Sequence, residues 1–169
     1  AVQLFGMPEA VFADIAVLRD NGLVDDYFII HLLRPSKAPD VRITLKASYL
    51  MCEREPRFTL HGTDGSFVKY GLDRQEADLT NGLMPDTPHW GEEDPEIWGL
   101  LHTEKNGLNI QERYPSIPGN YGAFYENIYQ HIRKEETLLS DARGVINVIR
   151  LIEAAWESSR SGNVLNLNP

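Results

Sequence analysis

The amino-acid sequence predicts an α+β domain, in which an open, mostly antiparallel β-sheet has helices packed on one face. Three observations support this prediction. Residues 41–51 alternate between apolar and polar, which is typical of a strand with one buried face. Several other extended runs are joined by short connections, which favours antiparallel pairing. Two patterns with helical spacing follow near the C-terminus, and they can cover the apolar face of such a sheet.

The first part of the chain contains three predicted strands. Residues 10–18 and 25–33 are rich in β-branched and aromatic side chains, and Asn21-Gly22 separates them. The run at 25–33 is apolar on both faces, which predicts a strand inside the sheet. The alternating run at 41–51 comes next and is expected to organise the sheet. Its polar face is left for solvent, a ligand or a second subunit, and it carries Arg42, Thr44, Lys46 and Ser48.

The middle of the chain is predicted to hold two hairpins and a long surface excursion between them. Each hairpin is a pair of short runs around a turn dipeptide: residues 57–60 and 66–70 around Asp64-Gly65, and residues 99–103 and 108–113 around Asn106-Gly107. The excursion at 71–96 is polar and contains prolines, with a short helical pattern over 73–79. We expect Trp90 and Trp98 to anchor it.

The last third of the chain is predicted to be helical. Two sets of apolar residues recur at helical spacing and are expected to cover the sheet: Tyr121, Phe124, Tyr125, Ile128, Tyr129 and Ile132, then Ala142, Val145, Ile146, Ile149, Ile152 and Trp156. Ser140 is a plausible N-cap of the second helix, Gly162 suits its C-terminal end, and residues 163–167 can add a short strand. At the other end of the chain, Val2 to Gly6 has the pattern of a final helical turn. We therefore expect the chain to be part of a longer protein.

Charge and composition narrow the class of partner. The net charge is −9, which argues against a nucleic-acid or anionic-membrane surface, because those surfaces need clustered Lys and Arg. Cys52 is the single cysteine, so an internal disulfide is excluded and a reducing compartment such as the cytoplasm is expected. No apolar run is long enough to suggest a membrane span. A small molecule is the favoured ligand.

The sequence carries no self-sufficient catalytic motif. It has no glycine-rich phosphate loop, no Cys/His cluster at metal-ligand spacing and no Gly-x-Ser-x-Gly elbow, so we expect no metal. The spacing of Tyr121, Tyr125 and Tyr129 predicts mostly core positions. Tyr121 and Tyr125 are also candidate ligand contacts, because hydroxyls near a helix start can reach a pocket. Arg42 and Lys46 can likewise face either solvent or another subunit.

Several motifs, in their order along the chain, resemble one enzyme family. They are V-D-D-Y-F, T-L-K-A-S, R-F-T-L-H-G-T-D-G-S-F-V-K-Y-G-L-D-R-Q-E-A-D-L, Y-G-A-F-Y-E-N-I-Y-Q-H-I and R-L-I-E-A-A-W-E-S-S-R-S-G. Together they resemble the C-terminal domain of the glucose-fructose oxidoreductase / inositol dehydrogenase / MocA (Gfo/Idh/MocA) family, over essentially the whole of residues 1–169. The resemblance implies a two-layer sandwich like the C-terminal domain of dihydrodipicolinate reductase.

The resemblance also implies where the chemistry lies. In this family an N-terminal Rossmann domain holds NAD or NADP and carries a catalytic Lys in a Glu-Lys-Pro motif. An Asp and a His lie on the helix leading into the sheet domain, which here corresponds to a position just before Ala1. We therefore expect no catalytic, cofactor-binding or metal-binding residue in this chain, and no activity from the chain alone.

The resemblance finally implies a role for this half of the enzyme. The complete protein is expected to move a hydride between nicotinamide and a hydroxyl or carbonyl carbon of a sugar or polyol. The sheet domain would form one wall of the substrate pocket, and its open face would pack on another subunit. That expectation places Arg42, Thr44, Lys46 and Ser48 at a homo-oligomer interface. The alternative is a free-standing, non-catalytic ligand-binding or dimerisation module. The sequence leaves open the choice between NAD and NADP, and the substrate itself.

Overall fold

The fold is α+β, as predicted, and its strands form two four-stranded antiparallel sheets. A computed structural model describes residues 1–167. The elements in chain order are α1 (Val2–Phe5), β1 (Pro8–Ala16), β2 (Tyr27–Pro35), β3 (Ile43–Ser48), β4 (Phe58–Gly62), β5 (Gly65–Lys69), α2 (Gln75–Thr80), a 3₁₀ turn (Pro95–Ile97), β6 (Gly99–Lys105), β7 (Leu108–Tyr114), α3 (Tyr121–Ile132), α4 (Ala142–Ser161) and β8 (Leu165–Asn166).

The first compact unit consists of residues 1–52 and 140–167, and its strands lie in the order β3-β2-β1-β8. The register places Val11 opposite Leu32 and Leu32 opposite Ile43, so these apolar residues share one face of the sheet. α4 covers this face, and its Leu151 and Ala155 are buried against the same cluster. The hydrophobic core of this unit therefore lies between β1, β2 and α4.

The prediction for the packing face of α4 was wrong. The large apolar residues that recur at helical spacing are about half exposed, including Ile152 at 46% and Trp156 at 48%. The buried stripe is instead made of Leu151, Ala155 and Ser158. The small side chains of Ala155 and Ser158 let α4 lie close to β1. The periodic pattern of the large apolar residues is stronger in the sequence, so it does not indicate this packing face. The N-cap is Asp141 rather than Ser140, since its carboxylate accepts the N–H of Gly144 at 2.8 Å.

Other predicted features of this unit are confirmed or corrected by the structure. α1 ends at Gly6, α4 ends at Gly162 with a φ of 69°, and β8 lies within the predicted run at 163–167. The half-buried alternation predicted for residues 41–51 is confirmed at Ile43, which packs against the core while Thr44 lies opposite His31 on the other face. It is wrong for the rest of the run, because Val41, Leu45, Tyr49 and Met51 are exposed and the strand ends at Ser48. β3 is however an edge strand, so β1 rather than β3 is the strand around which this unit is organised.

The second compact unit consists of Glu53–Leu139, and its strands lie in the order β4-β5-β6-β7. Both predicted hairpins are confirmed by the pairing of β4 with β5 and of β6 with β7. In the second hairpin Asn106 and Gly107 have φ values of 54° and 75°, as a two-residue primed turn requires. The predicted helical pattern at 73–79 corresponds to α2.

The aromatic residues of α3 were predicted to be mostly core, and the structure corrects this. Tyr121 is 40% exposed, Tyr125 is 70% exposed and Tyr129 is also exposed. The buried residue of α3 is Asn127, whose amide donates to the carbonyl of Thr137 at 3.0 Å and accepts the N–H of Leu139 at 2.9 Å. The hydrogen bonds of Asn127 therefore hold α3 against the segment that follows the helix. The aromatic residues of α3 are exposed.

Candidate functional site

The start of α3 carries the two tyrosines predicted as ligand contacts, Tyr121 and Tyr125. Asn120 caps the helix, because its side-chain oxygen accepts the N–H of Ala123 at 3.0 Å. Tyr121 is the first helical residue, and its backbone N–H donates to the side-chain oxygen of Gln75 at 2.8 Å. Tyr125 follows one turn later, with its ring edge-on to Phe124 at a centroid distance of 5.4 Å. The two predicted tyrosines therefore share one helix face and are both accessible; a contact with substrate stays a prediction.

Gln75 joins this helix start to two other segments. It is fully buried, with a relative exposure of 0%. Its side-chain oxygen accepts the indole N–H of Trp90 at 3.0 Å in addition to the N–H of Tyr121. Its side-chain nitrogen donates to both carboxylate oxygens of Asp73 at 3.2 and 3.1 Å. Every polar atom of the side chain therefore has a partner.

A second carboxylate strengthens the same region. Asp78 is buried, accepts the N–H of Gly91 at 3.2 Å, and pairs with Arg74 at 3.1 Å. Gly91 has a φ of +70°, and a side chain there would meet Gln75 Cγ at 3.2 Å. The segment around Trp90 is thus held on α2 by side-chain bonds, as the expected anchoring role of Trp90 requires. Trp98 is half-buried, and its carbonyl accepts from Arg113 at 3.1 Å.

The open face of the first sheet holds three of the four residues predicted for a subunit interface. Thr44 lies opposite His31, Lys46 opposite Ile29, and Ser48 opposite Tyr27. His31 Nδ1 lies 3.1 Å from Thr44 Oγ1, and Phe12 stacks on His31 with a centroid distance of 6.3 Å and an interplanar angle of 12°. The face is therefore a mixture of aromatic, aliphatic and polar groups.

Arg42 is placed differently from the other three residues. It precedes β3, and its guanidinium donates to the carbonyls of Pro39 at 3.3 Å and Asp40 at 3.1 Å. Its side chain is thus engaged with its own loop. Whether any of the four residues contacts another subunit stays a prediction.

Asp26 is a buried acid that the sequence reasoning did not single out. It accepts the backbone N–H of Leu18 at 2.7 Å and that of Arg19 at 3.1 Å, and the Arg19 side chain also donates to it at 2.7 Å. The Leu18 N–H and then the Arg19 guanidinium lower the pKa of Asp26 below its usual value. The acid closes the loop between β1 and β2, and this role is structural.

The chain matches known proteins over almost its whole length. A profile described as "Oxidoreductase family, C-terminal alpha/beta domain" matches residues 1–167. The chain belongs to the Gfo/Idh/MocA family of oxidoreductases. This family assignment confirms the resemblance that the sequence motifs predicted.

Three relatives illustrate the family match. The scyllo-inositol 2-dehydrogenase (NADP(+)) IolW of Bacillus subtilis (strain 168) is 37% identical over 166 residues, which cover 98% of this chain and 45% of that protein. A crystal structure of a protein from Bacteroides fragilis NCTC 9343 superposes with a TM-score of 0.92 at 62% identity, covering 98% of this chain and 49% of the other. A crystal structure of an oxidoreductase from Bacillus cereus gives 0.85 at 33%, covering 99% and 56%.

This Gfo/Idh/MocA chain spans about half the length of the curated relatives it matches. Both of its sheets are antiparallel, and its sequence has no glycine-rich turn of the kind that leads from a strand into a helix in dinucleotide sites. Residues 1–167 therefore lack the turn that holds a dinucleotide in such sites, and no step of a hydride transfer is assigned to them. Within the same range, no cluster of three or more His, Cys, Asp or Glu could hold a metal ion, and no helix is long and apolar enough to cross a membrane.

Gln75 and Asp26 were the residues that sequence reasoning missed. Gln75 bonds to Trp90 and Tyr121, which lie 15 and 46 residues away, and Asp26 bonds to Leu18 and Arg19 across a loop. Neither contact follows a helix or strand period, so neither produces a periodic signal. The D-R-Q-E-A-D-L run contributed to the family resemblance, but nothing in it shows that Gln75 is buried. A polar residue inside an otherwise surface-like stretch is a weak signal, and only the fold reveals its partners.

Proposed function

We propose that this chain is the C-terminal half of an NAD(P)-dependent oxidoreductase that acts on a sugar, polyol or related compound. The reaction is a hydride transfer between nicotinamide and a hydroxyl or carbonyl carbon. The observation that carries the proposal is family membership over residues 1–167, together with 37% identity to a protein named as a scyllo-inositol dehydrogenase that uses NADP(+). The cofactor and the proton-transferring groups then belong to the other half of the complete protein.

In this proposal the start of α3 forms part of one wall of the substrate pocket. Polyols present many hydroxyls, and each needs a hydrogen-bond partner when it leaves water. Tyr121 and Tyr125 offer two phenolic hydroxyls on an accessible helix face. The free, exposed Cys52 supports a reducing compartment, so the cytoplasm is the proposed location.

The experiment that tests the proposal uses the complete polypeptide encoded with this chain. Reduction of NAD or NADP is followed with scyllo-inositol, myo-inositol and glucose, and the 169-residue chain serves as the control. The complete protein is expected to reduce one nicotinamide cofactor with at least one of these compounds, and the control is expected to reduce none. A complete protein that binds neither cofactor in a fluorescence titration would contradict the proposal. Binding without turnover of any of the three would contradict the substrate class.

We also propose that the open face of the first sheet packs on a second copy of the chain. Support comes from the composition of that face, where Phe12, Tyr27 and Ile29 lie among Thr44, Lys46 and Ser48. Aromatic residues within a polar surround are typical of protein interfaces. Arg42 lies at the margin of this face, where its backbone precedes β3.

A further inference from the structure

We propose that Gln75 is a positioning residue, which fixes the start of α3 and thereby sets the place of Tyr121 in the substrate-binding wall. The inference rests on the proposed function, because it gives Tyr121 a substrate to contact. Gln75 itself is fully buried and touches no substrate. Its effect on binding is therefore indirect and passes through the backbone of Tyr121.

Gln75 contacts two segments that follow it at a distance along the chain. Tyr121 lies 46 residues after Gln75, and Trp90 lies 15 residues after it, yet both donate to the same side-chain oxygen, at 2.8 and 3.0 Å. The Tyr121 N–H belongs to the first turn of α3, where backbone donors have no partner inside the helix. Gln75 supplies that partner, so the helix start is tied to α2.

The hydrogen bonds at this position require a glutamine. The side chain must present an acceptor to two N–H groups and a donor to Asp73 at the same time. A glutamate has the same length but turns the donor into a second oxygen, which would lie against the Asp73 carboxylate and repel it. An apolar side chain would leave the N–H groups of Trp90 and Tyr121 without this acceptor.

The backbone packs closely around Gln75. A side chain added to Gly119 would collide with Asp73 Oδ2 and with Gln75 Nε2. The chain immediately before Tyr121 therefore runs directly over the Asp73–Gln75 pair and has no room to shift towards it. The hydrogen bond from the Tyr121 N–H prevents the helix start from moving away from Gln75, and the close contact at Gly119 prevents it from moving nearer. A displacement of Gln75 therefore displaces Tyr121.

The test is a double-mutant cycle in the complete protein, with scyllo-inositol and NADP as the probe. The variants are Gln75→Glu, Tyr121→Phe and the two combined. Gln111→Glu makes the same change at an exposed position on β7 and is the matched control. Gln75→Glu is expected to raise KM for scyllo-inositol about tenfold, the effect of one hydrogen bond, with kcat changed less than about twofold. Gln111→Glu is expected to leave both unchanged.

The cycle separates positioning from a general structural effect. If Gln75 acts through Tyr121, then Gln75→Glu adds less than about twofold to KM once the Tyr121 hydroxyl has been removed. If the effects of Gln75→Glu and Tyr121→Phe on KM multiply fully in the double variant, the inference is overturned. The indole N–H signal of Trp90 in an NMR spectrum, assigned with Trp90→Phe, is expected to move in Gln75→Glu and not in Gln111→Glu. A moved signal with an unchanged KM would also overturn the inference.

Two further outcomes are distinguishable. If Gln75→Glu does not fold, Gly119→Ala replaces it in the cycle. The added methyl group contacts the Asp73–Gln75 pair and would displace it. Gly119→Ala is expected to raise KM when the Tyr121 hydroxyl is present and to have less effect when it is absent. If the unmodified complete protein oxidises myo-inositol or glucose instead of scyllo-inositol, the cycle is run with that compound. If it oxidises none of the three, the proposed function fails and the inference that rests on it is overturned with it. An active protein with an unaffected Gln75→Glu variant overturns the inference alone.

Discussion

The hydroxyl of Ser158 on α4 accepts the backbone N–H of Ala13 on β1 at 3.0 Å, across 145 residues of sequence. The same hydroxyl donates to the carbonyl of Asn163 at 2.6 Å. Ser159 repeats the arrangement by accepting the N–H of Ile15 at 2.9 Å. β8 pairs with only Ala10 and Val11, so side chains of α4 complete the hydrogen bonding of β1 where the short strand has ended.

The first prediction follows from this bond. Ser158→Ala leaves the buried N–H of Ala13 without an acceptor and is expected to lower the free energy of unfolding by about 1–3 kcal/mol. Urea unfolding measures the change. Ser161→Ala is the matched control, because the exposed Ser161 hydroxyl bonds only to carbonyls of its own helix. Equal losses in the two variants would contradict the role assigned to Ser158.

A second prediction tests which stripe of α4 is the packing face. Leu151 is 6% exposed within the core, and Leu151→Ala is expected to cost about 2–5 kcal/mol through lost contacts and a cavity. Ile152 is its neighbour on the exposed side, so Ile152→Ala in the same 169-residue chain is expected to cost less than about 1 kcal/mol. Chemical denaturation of both variants checks the order. A larger loss at Ile152 would show that the other stripe packs on the sheet.

The third prediction concerns acid stability. The pKa of Asp26 is lowered, first by the N–H of Leu18 and then by Arg19, so the folded state favours the charged form. The stabilisation is fully present above the ordinary Asp pKa of about 3.9 and is lost as pH falls through the lower folded value. Asp26→Asn is therefore expected to lower the melting temperature at neutral pH, with a gap to the unmodified protein that narrows below about pH 4.

Melting curves across this pH range check the prediction. Asp20→Asn is the control, because Asp20 lies in the same loop and is exposed. It is expected to leave the melting temperature at neutral pH nearly unchanged, because it removes an exposed side chain's charge. A gap for Asp26→Asn that stays constant down to the lowest pH would mean that the carboxylate charge of Asp26 contributes nothing to stability.

Strand locations were predictable from the sequence because alternation and turn dipeptides are local signals. Asn106-Gly107 placed the second hairpin, and Gly162 placed the end of α4. The order of strands in a sheet is not local. The run at 41–51 has the clearest alternation in the chain, yet β3 lies at an edge, because edge position depends on what pairs with β2.

The candidate site was predictable only in part for the same reason. Tyr121 and Tyr125 stood out because aromatic residues recur at helical spacing, although that spacing also made a core position plausible. Gln75 did not stand out, since its importance comes from Trp90 and Tyr121, which reach it from distant parts of the second unit. In α4, the large residues gave a stronger pattern than the small residues that pack on β1.

The last prediction tests the proposed subunit interface on the open face of the first sheet. Thr44 lies in the row with Phe12 and His31, and its hydroxyl is within hydrogen-bond distance of His31 Nδ1. Thr44→Arg adds a bulky charge to that row, where a second copy would have to bury it without a partner. In the complete protein, it is expected to raise the dissociation constant between subunits by at least about a hundredfold, equivalent to ~3 kcal/mol.

Sedimentation velocity over a range of concentrations measures this effect. Thr59→Arg is the matched control, because Thr59 is also an exposed strand threonine but lies on β4 of the second sheet. It is expected to leave assembly unchanged. Monomers at high concentration in the unmodified protein would rule out the interface altogether. Dissociation by Thr59→Arg rather than Thr44→Arg would move the contact to the second sheet, because a buried arginine is costly only where the subunits meet.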